Sequence, residues 1–408
     1  MSTTPPRDVL ILGGGLVGAT LALALARHGL TSTVVDPADP AVTLALGFDG
    51  RASAIASASG RMFEAIGLAD QLGGQGCPIA SIRVSDGLAP GRLDFVPEEG
   101  EGALGVMYEN RALRRALHAA VEAEPGIDLR MRTAAVDVRR GPHGVAAALS
   151  DGGSVCAALL VAAEGRNSPT REAAGINVAR WRYDHAAIIG AFHHERPHGG
   201  IAYEIFYPSG PFALLPLVDD ADGHRSAIVW TVAGGDAGAM LKLSDRAFLA
   251  EAEKRMGGFL GRLYAASPRA SYPLGFHHAA RIVGDRLALV GDSAHGIHPI
   301  AGQGLNLGLR DVAALTEVLV EGRRVGLDLG DTALLERYQR WRALDTFAIA
   351  AATDGLARLF GVPGRLPSGV RRLGLSAVNA IGPLKRAFMA EARGESGDLP
   401  RLLTGAAV

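Results

Sequence analysis

The sequence predicts an α/β fold: a Rossmann-like nucleotide-binding domain with an antiparallel β-sheet domain inserted into it and a helical region at the C-terminal end. Three observations predict it. The chain opens on a strand, a glycine turn and a helix. Several short, closely spaced strands follow from about residue 184. After Arg286 an apolar strand returns, followed by Gly291-Asp292 and a long helical stretch.

The first unit sets the frame. Val9, Leu10, Ile11 and Leu12 make an apolar run that breaks into Gly13-Gly14-Gly15, and residues 16–28 read as an Ala/Leu-rich helix ending at Gly29. Thr31 to Val35 is then a β-branched run closing on Asp36, which completes a βαβ unit. Further on, strands are expected at residues 186–192, 201–207, 212–217 and 227–232, separated by Gly, Pro and Asp turns. Residues 287–290 form the returning strand, and a helix is expected over 305–321. The nucleotide domain is therefore expected to be discontinuous (1–75, 105–180 and 275–330). The insert would be 76–104 and 181–274, and the helical region 331–408.

The chain has 408 residues, enough for two cores, since one core rarely grows past about 250–300 residues. With 48% hydrophobic and 20% charged residues and a net charge of −1, it is a globular chain without the positive surplus that nucleic acid requires. Cys77 and Cys156 stand alone, with neither disulfide nor metal-ligand spacing, which fits a reducing cytoplasm. No signal core opens the sequence, and no stretch approaches the roughly 20 apolar residues of a membrane-spanning helix. The expected location is cytoplasmic, or peripheral on the inner face of the cytoplasmic membrane.

Gly13, Gly15 and Gly18 form G-x-G-x-x-G between a strand and a helix. The first glycine permits the turn, the second lets a pyrophosphate approach the backbone, and the third lets helix and strand pack closely. Helix N-H groups and the positive dipole end then face the phosphates, and Asp36 can accept from a ribose diol. The turn alone does not separate FAD from NAD. The second motif does: Asp292 ends a strand where it can accept from a ribityl chain, and Gly302-Gln303-Gly304-Leu305-Asn306 opens a helix. That helix end would present donors to the pyrimidine edge of a flavin and stabilise its anionic reduced ring. His295 and His298 have a spacing that could serve a metal, but no third ligand accompanies them and no metal is expected.

The glycine fingerprint, Glu164-Gly165-Arg166-Asn167-Ser168 and Gly291-Asp292 together resemble the three marks of flavin-dependent aromatic hydroxylases of the para-hydroxybenzoate hydroxylase type. The run HPIAGQGLNLGLRDVAAL, residues 298–315, more narrowly resembles the ubiquinone-biosynthesis hydroxylases. The likeness extends to DGRASAI at 49–55, ENRAL at 109–113, GPFALLPL at 210–217 and LERYQRWR at 335–342, and so covers nearly the whole chain. It implies FAD contacts from Arg51 and Arg111, with Asp292 on the ribityl or pyrophosphate portion. One departure is Glu164, where the family's middle motif usually has Asp; because that motif serves FAD and NAD(P)H, the docking of the reductant is left open.

The resemblance implies an FAD monooxygenase that takes electrons from NADPH or NADH and O2 as co-substrate, and hydroxylates the ring of a polyprenylated phenol. The flavin carries the chemistry, so no catalytic side chain is assigned, and the protein supplies orientation and exclusion of water. Tyr203, Ile205 and Tyr207 share one strand face, with Phe212, Leu214 and Pro216 on the next. This face is either the substrate wall, with Pro299 beside it, or simply the core of the insert. Between Arg358 and Arg393 seven basic residues stand against one acid among apolar side chains, which suits a membrane surface or a docking helix. Pathway enzymes and a second copy of the chain are further expected partners. Competing readings are a hydroxylase of another small aromatic, a prenyl-lipid flavin reductase and a non-catalytic flavin-fold scaffold. A halogenase is disfavoured because the Trp-x-Trp-x-Ile-Pro element is missing, and no G-x-S-x-G elbow supports a hydrolase.

Overall fold

A computed structural model describes residues 6–88, 92–296, 303–343, 378 and 381–408. The centre of its eight-stranded sheet is parallel, in the order Leu287–Leu289, Ser154–Ala162, Arg7–Leu12, Ser32–Asp36 and Ile127–Met131. Parallel strands with both faces covered read as unbroken apolar runs, and Val9, Leu10 and Ile11 are indeed fully buried. Helix Leu16–Arg27 connects the first two of these strands in sequence, as expected. It packs against helices Asn110–Glu122 and Gln303–Arg324, which is why Leu21 to Leu25 are buried all the way round. Because the strands are parallel, their carboxyl ends open on one crevice, the position where such sheets bind ligands.

The insert is a nine-stranded sheet. The four expected strands are present as Val178–His194, Ile201–Tyr207, Gly210–Pro216 and His224–Ala233, paired antiparallel. Ser81–Asp86 extends the sheet by running parallel to Ile201–Tyr207. Two strands cross the expected boundaries: Val178–His194 starts before residue 181, and Ala270–Ala279 runs past 274 to pair with His295–Gly296. The insert is thereby hydrogen-bonded to the loop that follows Asp292. Gly76–Pro78 lies outside this sheet, in a three-stranded one with Gly105–Glu109 and Ala52–Ala56.

The two faces of the insert differ. Residues directly opposite in the ladder share a face, so Ile188, Trp230, Phe212 and Ile205 line up across it. They pack on Phe248, Leu249, Ala252 and Met256 of helix Asp245–Met256. That helix is capped by Ser244, whose hydroxyl accepts from the Ala247 N-H, and ends on Gly257 at φ 73°. The opposite face turns to the nucleotide domain: Ala191, Leu215 and Ala227 pack with Phe48 and Ala52, and Ala202 with Ala54 and Met107.

This corrects the expected substrate wall. Tyr203, Tyr207, Phe212 and Leu214 lie on the helix-covered face, where Tyr203 meets the Phe259 ring at 4.2 Å and Phe212 meets Trp230 edge-on at 5.3 Å. The Tyr207 hydroxyl donates to the Arg255 carbonyl. Of the two readings the alternation left open, core packing is the one these contacts support.

Candidate functional site

Gly13 adopts φ 102°, and a Cβ there would sit 2.4 Å from the Ala163 carbonyl oxygen; on Gly18 it would sit 1.9 Å from the Gly13 oxygen. Neither position accepts a side chain. Gly15 has nothing within 4 Å of its Cβ position, so the middle of the turn is open to a ligand. Asp36 holds the turn: one oxygen accepts from Gly14 N-H at 2.6 Å, the other from Ala38 N-H at 2.7 Å. A carboxylate has about four acceptor sites, so two remain for a ribose.

Asp292 follows the parallel strand Leu287–Leu289, and the turn before it depends on Gly291 at φ 59°. Helix Leu16–Arg27, this turn and helix Gln303–Arg324 meet at Val17, which lies 3.1 Å from a Cβ on Gly291 and 2.9 Å from one on Gly308. Asp311 locks the junction from the fully buried side. Its Oδ2 accepts from Gly291 N-H at 2.9 Å and from His295 Nε2 at 2.7 Å, and its Oδ1 accepts from Arg342 Nε at 2.7 Å. Burial alone would raise the Asp311 carboxyl, but His295 and Arg342 outweigh it and hold it below the usual range. Asp292 itself is held above the usual range by enclosure, partly offset by Arg166 and His295. Its side chain still reaches solvent, so it faces a recess in otherwise surrounding protein. His277, pushed down to about 4 by burial, donates its Nε2 proton to the Asp292 carbonyl at 2.7 Å.

The remaining predicted positions divide. Gln303, Gly304 and Leu305 form the described start of the long helix, and Gly304 has nothing within 4 Å of its Cβ position. Asn306, expected at the cofactor, turns its side chain the other way: Oδ1 accepts from Ala56 N-H and Ser59 Oγ, and Nδ2 donates to the Ala54 carbonyl. It ties the helix to the three-stranded sheet. Arg111 is likewise occupied, donating to the carbonyls of Leu46 and Gly47 at 2.8 and 3.2 Å. It fixes the loop that carries Arg51. The Arg51 guanidinium is exposed, without a hydrogen-bond or ion-pair partner among the described residues, and acts electrostatically on Tyr272. Gly302 and Pro299 lie outside the described residues. Glu164 caps the short helix Pro169–Ala173, accepting from Ser168 Oγ at 2.5 Å and from Thr170 N-H and Oγ1 at 3.2 and 3.0 Å.

Three residues of the crevice were not assigned to it from sequence. Arg166 lies against Gly275 and Gly296 and bears electrostatically on Asp292 and Tyr272. Its signal was present, two residues after Glu164 in the quoted motif. Tyr272 and Ile189 gave none, because only sheet pairing brings them beside the Arg51 loop, where Ile189 Cδ1 is 3.9 Å from a Cβ on Gly50.

The sequence profile of the FAD binding domain family matches residues 7–351. The chain is 47% identical over 401 residues to ubiquinone hydroxylase UbiL of Rhodospirillum rubrum, covering 98% of this chain and 92% of that one. It is 35% identical to the 3-demethoxyubiquinol 3-hydroxylase of Escherichia coli, covering 96% and 100%. The chain belongs to the FAD-dependent hydroxylases of ubiquinone biosynthesis. The fold of this hydroxylase is also that of p-nitrophenol 4-monooxygenase PnpA from Pseudomonas putida, with a TM-score of 0.79 at 17% identity over 97% of this chain and 99% of that one.

The site suits FAD on its own geometry. The cradle at Gly15 and the helix start at Gly304 are open, the Arg51 guanidinium has no partner among the described residues, and Asp292 is exposed at the crevice. The hydroxylase is a flavin-dependent oxidoreductase, and FAD when bound supplies the redox and oxygen chemistry using NAD(P)H and O2. This chain's residues bind, orient and exclude water.

Proposed function

We propose that this hydroxylase oxygenates the aromatic ring of a polyprenylated phenol in ubiquinone biosynthesis. Full-length similarity to the Rhodospirillum rubrum ubiquinone hydroxylase carries the reading. The insert's inner face adds physical support: Val84, Leu215, Val229 and Tyr272 on it are apolar or aromatic and half-buried, and Tyr272 lies within electrostatic range of Arg51. A largely apolar face with few polar groups suits a ring with a hydrocarbon tail. The test is oxygen-dependent NAD(P)H oxidation by the flavin-loaded protein with a short-chain prenyl phenol, with the product one oxygen heavier by mass spectrometry. Oxidation without a hydroxylated product would reject the reading.

Within it, the Gly13–Gly18 turn and helix start hold the pyrophosphate, Asp36 the ribose, Arg51 and Asp292 the ribityl portion, and the Gln303 helix start the pyrimidine edge. Arg111 and Asn306 act indirectly, by fixing the loop and the helix. Asp292→Ala should purify with much less flavin absorbance; full flavin content would misplace the ribityl site.

Peripheral membrane contact is part of the same reading. No helix among the described residues is long and apolar enough to cross a membrane. Helix Gly382–Ala392 nevertheless exposes Leu384 and Phe388, with Ile381 just before it and Lys385 and Arg386 alongside, the make-up of a surface-lying segment. Its Met389 packs in the cluster that contains Ala202, which sets the helix against the insert's inner face. Leu384→Asp with Phe388→Asp should abolish sedimentation with anionic liposomes while flavin stays bound; unchanged sedimentation removes this part.

A further inference from the structure

Among the residues of the insert's inner face, one is chemically out of place. Glu204 stands on strand Ile201–Tyr207, directly opposite Val84 on one side and Ala213 on the other, and the row continues through Val229 to Ile189. Ile189 in turn touches the Gly50-Arg51 loop. The row therefore spans from Glu204 to the flank of the FAD crevice, three strand spacings or about 14 Å.

The carboxyl group has no hydrogen-bond or ion-pair partner among the described residues, although protein surrounds it. The residue is half-buried, so part of it remains accessible. Same-face neighbours are Ala202 and Phe206 on its strand, Pro211, Ala213 and Leu215 on the next, and Ile82, Val84 and Asp86 on the other. Asp86 is the titratable group among these. The three-stranded sheet packed beneath adds the Cys77 thiol, pushed up to about 11 by burial and so neutral. Among the described residues no cation compensates Glu204, and enclosure pushes its carboxyl up to about 7. An enclosed carboxylate left without a partner is costly to the fold, which argues for a partner brought by the ligand.

We propose that Glu204 receives the substrate's phenolic hydroxyl, accepting its hydrogen bond on binding and its proton as the ring is oxygenated. This rests on the reading above. As a ring carbon's electron pair forms the new C-O bond to one atom of O2, the O-O bond breaks and its pair leaves with the other atom, which ends as water with the two electrons of NAD(P)H; the O-H pair becomes the carbonyl π bond, and the proton passes to a Glu204 Oε. The ring then loses its own hydrogen as a proton and regains aromaticity when Glu204 returns a proton to the carbonyl oxygen. A base titrating near the working pH is best placed for this transfer.

The test compares wild type and Glu204→Gln, both FAD-loaded, in binding a short-chain prenyl phenol and its O-methyl ether, followed by perturbation of the flavin spectrum. The phenol should bind roughly tenfold more weakly to the variant, the size of a lost charged hydrogen bond, whereas the ether should bind both proteins alike. Wild-type affinity for the phenol should fall below about pH 7, and that of the variant should stay flat. Turnover should drop on the order of a hundredfold in the variant. Equal phenol affinity in the two proteins, or the same loss for the ether, overturns the proposal. Wild-type protein that binds the phenol with this pH dependence but never hydroxylates it would instead reject the functional reading and leave the Glu204 contact standing. Glu204→Asp, which keeps the charge, should recover part of the pH dependence; a flat profile there together with normal turnover would also overturn it.

Discussion

On strand His224–Ala233, Trp230 is 2% exposed and wedged against Phe212 and the helix Asp245–Met256. Its neighbour Val229 lies half-buried on the other face, in line with Ala213 and Glu204. The covered face is closed by large rings in mutual contact. The inner face carries mostly small or aliphatic side chains and the Glu204 carboxyl, which has no partner among the described residues. One face is closed by the insert's own helix, and the other meets the cofactor domain. Residues one position apart therefore serve stability and recognition separately, and substitutions should separate the two effects.

The largest effect belongs to the covered face. Trp230→Ala should cost about 3–5 kcal/mol, read as a fall in denaturation midpoint, while KM for the phenol changes little in whatever remains folded. A matching rise in KM would show that the two faces are not independent. Glu204→Gln should act in the opposite direction on stability. Because the folded carboxyl is raised to about 7, its contribution is fully present below the unfolded value and is lost as pH rises through 7. The variant should therefore be more stable than wild type by roughly 1–3 kcal/mol at pH 8, with the gap closing towards pH 4. A gap independent of pH would mean that the Glu204 carboxyl is not raised.

Val229→Ala should cost less than about 1 kcal/mol, since the site is already partly open, but should change KM for the prenyl phenol severalfold. An unchanged KM would move the substrate off this row. The smallest effect is expected for Tyr203→Phe. The Tyr203 hydroxyl has no hydrogen-bond partner among the described residues, so stability should stay within about 0.5 kcal/mol and turnover should be normal. A loss of turnover would return Tyr203 to the substrate site.

Much of the cofactor site was legible because its residues act through short sequence spacing. Gly18 is forced by its approach to the Gly13 carbonyl oxygen, Gly13 by its φ of 102°, Gly15 keeps the turn open, and Asp36 returns to that turn by hydrogen-bonding Gly14. Asn306 and Arg111 lie in the recognised motifs, but their directions came out differently, since the partners Ala56, Ser59, Leu46 and Gly47 are set by packing. The Asp311–His295–Arg342 lock was likewise invisible, because it joins Asp311 to positions 16 and 31 residues away through a buried junction.

By itself the sequence determined the βαβ opening, the flavin-type motifs, the four strands of the insert and the alternation that splits them into two faces. These follow from local sterics and periodicity. Which face the helix covers and which meets the cofactor domain was decided only in the tertiary structure. A period of two assigns residues to opposite sides but carries no sign, and the sign comes from where helix Asp245–Met256 and the loop bearing Arg51 dock.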